Sequence, residues 1–212
     1  TQVGSRTGYI AEASVTTGST EVSQVSGSFI FTDADRNDTH DVTSEQTGVE
    51  LHGLSVPLPD EGTLSATLSV ESAGGEAGTV NWTYSIADAS LDPMVDGDQE
   101  ILHYRITLTD NGGAEVTHDV DVVLTGANDS PVITGGDTTA TITEDPIVTG
   151  NSTAVHTASG IITFTDADRV DSHDVTFEQI SGSYLLGAVA TFSVSRDHDS
   201  AAGSTGQVGW SV

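Results

Sequence analysis

The sequence has no cysteine and no lysine among its 212 residues, and only five arginines stand against 32 acidic residues, for a formal net charge of −27. Without cysteine, neither disulfides nor thiolate metal sites can hold the chain together. Without basic patches it repels DNA, RNA and anionic lipid, and attracts cations instead. No run of 18 apolar residues is present to cross a membrane as a helix, and no signal peptide opens the chain. The first residue is not Met, so the sequence is expected to be a piece of something longer, with any targeting information elsewhere.

Aromatic residues are only 5% of the chain, too few for an aromatic-lined cleft in which paired carboxylates would hydrolyse glycosides. None of the seven histidines falls in a His-x-x-x-His pattern and there is no Gly-x-Ser-x-Gly, so hydrolytic metal and serine-nucleophile motifs are both missing. A non-enzyme is expected. Helix formers are scarce and no window keeps a 3.6-residue apolar period over three turns. An apolar fraction of 35%, rich in Thr, Val and Ser, is too β-prone for a disordered acidic tail. The expected class is all-β.

What the sequence does contain is a repeat. Phe31-Thr32-Asp33-Ala34-Asp35-Arg36-Asn37-Asp38-Thr39-His40-Asp41-Val42-Thr43 returns 133 positions later as Phe164-Thr165-Asp166-Ala167-Asp168-Arg169-Val170-Asp171-Ser172-His173-Asp174-Val175-Thr176. The Trp82 segment returns at Trp210, at an offset of 128. A period near 130 residues suits one β-sandwich domain. The expected division is therefore 1–130, a complete sandwich, and 131–212, a second one lacking its last strands, since nothing in it corresponds to residues 87–126.

Each copy of the motif leaves an apolar β-branched run and drops into closely spaced carboxylates. In extended backbone, residues i and i+2 share a side about 6.6 Å apart, so Asp33 with Asp35, and Asp166 with Asp168, are expected to repel by roughly 3 kcal/mol per pair at an effective dielectric of ~20. A hard dication would relieve this, because calcium takes six to eight oxygen ligands. Asp38 and Asp171 add a third carboxylate to each copy. His40 and His173 are expected to hydrogen-bond and order these loops.

In the first copy, strands are expected near 7–12, 26–33, 39–47, 63–71, 78–86, 99–109 and 114–125, the last two joined by a tight turn at Asp110-Asn111-Gly112-Gly113 in which Asn and Gly take positive φ. Trp82 and Trp210 are expected core anchors. Residues 87–98 break the strand pattern, and Asp88, Asp92, Asp96 and Asp98 there are either a further cation site or a solvated crossover. Asn128-Asp129-Ser130-Pro131 makes a stiff exit.

Ile-Thr-Glu-Asp (142–145), Phe-Thr-Asp-Ala-Asp with Asp-x-His-Asp-Val (164–175), Gly-x-Val-x-Trp (206–210), Leu-x-x-x-x-Asp-Gly (91–97), Tyr-x-x-x-x-Thr-Asp-Asn-Gly-Gly (104–113) and Thr-Gly-x-Asn-Asp-x-Pro-Val-Ile (125–133), taken as a set, resemble the VCBS-type and cadherin-like repeats of giant bacterial RTX adhesins. The resemblance covers nearly the whole chain. It implies tandem Ig-like, cadherin-like antiparallel sandwiches that bind Ca²⁺ and act as extracellular spacers on a bacterial cell surface. Their partners would be neighbouring repeats of the same polypeptide, with no nucleic acid and no direct membrane insertion, and with any glycan or surface ligand met through other domains.

By the same resemblance, a junction would use Asn128 and Asp129 with Asp166, Asp168 and Asp171. Glu144 and Glu12 would also be ligands, although the cadherin counterpart of such a Glu serves the opposite end of its domain. Asp110 either joins the junction or only shapes its hairpin, and Asp33, Asp35 and Asp38 would face a preceding repeat. The alternative function is a carbohydrate-binding or homophilic adhesion module, for which exposure of Tyr9, Tyr84, Tyr104 and Tyr184 discriminates.

Overall fold

The computed structural model describes residues 3–13, 18–52, 54–55, 62–143, 155–180 and 191–212. They form two compact units, Thr1–Asp129 and Ser130–Val212, and the architecture is all-β.

In the first unit the strands are β1 (Val3–Gly4), β2 (Thr7–Ala11), β3 (Val22–Thr32), β4 (His40–Leu51), β5 (Leu54–Ser55), β6 (Thr63–Val70), β7 (Ala77–Ala87), β8 (Gln99–Asp110) and β9 (Glu115–Thr125), with a 3₁₀ turn at Asp88–Ser90. One sheet has the order β1-β3-β7-β6 and the other β2-β9-β8-β4-β5. The strands pair antiparallel except β2 with β9, which run parallel. Period-two burial builds the core between the sheets. Val80, Trp82, Tyr84 and Ile86 point inward from β7, Leu102, Tyr104, Ile106 and Leu108 from β8, and His118, Val120, Val122 and Leu124 from β9. Trp82 is buried as expected, and its indole lies over Gly27, its cross-strand partner, where an added Cβ would come within 2.4 Å of the ring.

Two local expectations change. β4 runs on to Leu51 through a bulge between Gln46 and Gly48. The extra residue shifts the inward phase from Val42, Ser44 and Gln46 to Val49, so the alternation that a strand assignment reads is broken at that point. The β8–β9 turn is also longer than a two-residue hairpin: the Asp110 amide donates to the Ala114 carbonyl, and only Gly113 has positive φ, at 86°. Asn111 is not left-handed.

The second unit contributes β10 (Val132–Gly136), β11 (Ser159–Thr165), β12 (Ser193–His198) and β13 (Thr205–Ser211), in the order β10-β11-β13-β12. This repeats β1-β3-β7-β6, down to a Gly160–Trp210 cross-strand pair matching Gly27–Trp82. Among the described residues it is the unit's one sheet. Residues 173–180, which correspond to the start of β4, carry no strand. In the first unit β4 is built on β8; among the described residues of the second unit no strand pairs with 173–180.

Candidate metal centres

Among the described residues, three groups of carboxylates bring ligand oxygens within 4.8 Å of one another: Asp33 with Asp35 and Asp38, Asp166 with Asp168 and Asp171, and Glu12 with Asp92 and Asp129. That spacing is what two oxygens on opposite sides of a cation would span at about 2.4 Å each. The donor sets are all oxygen and all anionic, which suits a hard divalent cation over metals that prefer nitrogen or sulfur. These residues could therefore hold a metal ion.

The first two groups are built alike. β3 ends at Thr32, and the Asp33 Oδ1 then accepts the Asp35 amide at 2.8 Å. This side-chain turn curls the backbone, so the carboxylates converge through a loop and not through the extended geometry expected from the spacing. The loop is pinned from a second one: the Asp33 amide donates to Ser72 Oγ (2.6 Å), Ser72 donates to the Glu76 carbonyl (2.6 Å), and the Gly74 and Gly75 amides donate to the carbonyls of Asp35 and Asp33. In the second unit Asp166 Oδ1 accepts the Asp168 amide at 3.0 Å, the Asp166 amide donates to Ser200 Oγ, Ser200 donates to the Ser204 carbonyl, and the Ala202 and Gly203 amides donate to the carbonyls of Asp168 and Asp166.

The histidines order these loops, as expected. His40 Nε2 lies 3.1 Å from Asp33 Oδ2, with Nδ1 2.8 Å from Glu71; His173 Nε2 lies 2.9 Å from Asp166 Oδ2, with Nδ1 2.7 Å from Asp199. Each ring stands edge-on to the phenylalanine before its loop, Phe31 or Phe164, at 4.9 Å. Burial works to lower both histidine pKa values, but the hydrogen bonds to the flanking carboxylates outweigh it and raise them. Asp33 is held below the usual carboxylate range, first by the Asp35 amide and then by His40. Asp38 is pushed up by local desolvation and then by the charges of Asp35, Asp33 and Asp110. The two groups differ in exposure. Asp166 and Asp168 are buried, whereas Asp33 is half-buried and Asp35 exposed.

The third group sits at the other end of the first sandwich. β2 stops at Ala11, opposite Thr125, and the Glu12 amide continues the pairing by donating to the Thr125 carbonyl. Glu12 Oε2 then accepts the Ala127 amide at 2.7 Å, which ties the exit segment to the end of β2. Asp92 comes from the crossover after the 3₁₀ turn, and Asp129 closes the unit. All three side chains are buried. Of the other crossover carboxylates, Asp88 accepts the Ala13 amide and Asp98 pairs with His52 at 2.8 Å, so the crossover does not form a site by itself but lends Asp92 to one.

β4 pairs with β8 so that His40 faces Asp110, placing it at the Asp33 end of the unit. There its Oδ1 accepts the Gly112 and Ala114 amides at 2.8 Å each and shapes the hairpin. Asn128 donates from its amide to the Asp129 carbonyl. Asp129 is gathered with Glu12 and Asp92, while Asp166, Asp168 and Asp171 form their own group within the second unit. Glu144 and Tyr184 lie outside the described residues. Sequence reasoning missed Asp92 as a partner of Glu12, and it missed the second loop altogether. The signal for that loop was there: Glu71-Ser72-Ala73-Gly74-Gly75 returns as Asp199-Ser200-Ala201-Ala202-Gly203 at the same offset as the tryptophans.

No family model matches the chain, and no curated protein matches it. Among solved structures, the secreted serine protease VesC from Vibrio cholerae is similar at 11% identity and a TM-score of 0.23, over 94% of this chain and 44% of that one. The chain thus spans less than half of that structure's length, and a likeness this slight carries no argument about fold or activity.

Proposed function

We propose that this chain is a stretch of calcium-stiffened spacer repeats from a bacterial cell-surface adhesin, projecting a ligand-binding region for attachment and biofilm formation and performing no catalysis of its own. The observation that carries the reading is the set of three all-carboxylate groups, each with oxygens inside 4.8 Å. Like charges held that close favour a partner with two positive charges and flexible coordination, which is calcium in an extracellular setting. Glu12, Asp92 and Asp129 would fix the chain where it leaves the first sandwich, because Asp129 belongs to the exit segment and Glu12 already grips Ala127. Asp33, Asp35 and Asp38, with Asp166, Asp168 and Asp171, would do the same beside the first long strand of each unit. The metal supplies charge neutralisation and cross-linking; the protein supplies loops already curled to receive it.

The binder reading has Tyr9 in its favour, 71% exposed on β2. Tyr84 and Tyr104 are buried in the core, so among the described tyrosines there is no patch on which a sugar could stack.

A ligand that binds only the folded state stabilises it by about 2.7 kcal/mol at a hundredfold excess over Kd. Extracellular calcium modules lie at roughly 10⁻⁴ to 10⁻³ M. Calorimetry and solution scattering in millimolar CaCl₂ and then in EDTA should show a lower melting temperature and a broader range of interdomain distances after chelation. Identical curves in the two buffers would end the proposal.

A further inference from the structure

We propose that His40 and His173 are positioning residues for the cation sites, each using Nε2 to hold one oxygen of the leading aspartate so that its carboxylate presents a single fixed oxygen to the metal. This rests on the calcium reading above. In both units the leading carboxylate is fastened twice, its Oδ1 accepting the amide two residues on and its Oδ2 facing the ring, at 2.8 and 3.1 Å for Asp33 and at 3.0 and 2.9 Å for Asp166. A carboxylate so fastened cannot swing to offer both oxygens side by side. The ring is itself immobilised by an acid on Nδ1 and by the phenylalanine edge, and only 4% and 12% of the His40 and His173 side chains is exposed.

The duplication separates what the arrangement needs from what it tolerates. Glu71 is replaced by Asp199 and Gly74 by Ala202, while the histidine, the seven-residue spacing and the Nε2 contact stay the same. Two roles can be told apart by stereochemistry. The ring could matter only as a staple between loops, through Nδ1, or it could matter for the aspartate, through Nε2. A glutamine amide nitrogen takes roughly the place of Nε2 and an asparagine amide nitrogen that of Nδ1, each as a neutral donor.

The experiment follows the backbone amide NMR signals of Asp168 and Gly203, which border the second group, as CaCl₂ is added to the full 212-residue chain. Wild type, His173→Gln and His173→Asn are compared, with the β11–β13 amides as the check that the sheet is intact. The expected result is a wild-type response with a clear midpoint, a His173→Gln midpoint within about threefold of it, and a His173→Asn midpoint about 10–100-fold higher, the usual cost of losing a ligand's orienting partner. Coincident midpoints for all three, or His173→Asn binding as wild type while His173→Gln weakens, would overturn the positioning role. Wild-type signals that ignore calcium would instead overturn the calcium reading on which it rests. Should His173→Asn disrupt the sheet, the same pair at His40, read at Asp35 and Gly75, decides the matter.

Discussion

Ala202 shows how finely the two copies can be compared. Where the first unit turns through Gly74 and Gly75 at φ of 62° and 88°, the second turns through Ala202 at 51° and Gly203 at 72°. A left-handed conformation costs an L-residue about 1–2 kcal/mol, part of which is returned because alanine has less freedom to lose than glycine. Ala202→Gly is therefore expected to stabilise the second unit by about 0.5–1 kcal/mol, seen as a higher urea midpoint by a probe of Trp210. At this scale the sequence was legible where charge or ring size announced a role, as with Trp82, Asp33 and His40. For Ser72 and Ser200 the repeat marked the position but not the role, because their hydroxyls find their partners only when the second loop lies beside the first.

In the first unit most strands followed their alternation; β4 departed from it at its bulge, β6 between Leu68 and Val70, and the chain left β3 through a side-chain turn. β9 carries one polar residue inward: His118 is buried, stacks on Phe29 at 4.2 Å and reaches the Ser5 carbonyl at 3.2 Å. Burial lowers its pKa, Arg6 adds to this, and Ser5 and Asp119 work against it. A histidine with a folded pKa below its unfolded 6.5 costs nothing at neutral pH, but as pH falls below that value the unfolded chain takes up the proton first and stability drops. His40 and His173 have raised values and contribute with the opposite sign, adding stability in acid that fades as pH rises through their folded pKa. The diagnostic quantity is thus a difference. Between pH 7.5 and 5, the urea midpoint of the first unit should fall less in His118→Gln than in wild type, and equal falls would assign the pH response to other groups.

For the molecule as a whole, charge dominates. Thirty-two acids against five arginines leave a surface that repels itself, and screening shortens that repulsion from a range of about 10 Å at 0.1 M salt to about 3 Å at 1 M. In EDTA the melting temperature should rise as NaCl is raised over this range. If the proposed calcium sites fill, the rise should be smaller at saturating calcium, because bound cations would already neutralise the densest carboxylate groups; calorimetry at matched salt checks both. The sequence repeats with a period near 130 residues, and the structure has two compact units, Thr1–Asp129 and Ser130–Val212. Which acids meet was less readable, because Glu12 and Asp129 are far apart in the chain and come together through the parallel pairing of β2 with β9, while Asp92 arrives separately on the crossover after β7.

That same pairing has a mechanical side. Thr7–Ala11 lies in parallel register with Asp121–Thr125, so β2, near the incoming end of the unit, is paired with the last strand before the outgoing one. Tension applied to the two ends of the unit would draw these strands past each other lengthwise, loading every rung of the ladder together in shear instead of unzipping them singly.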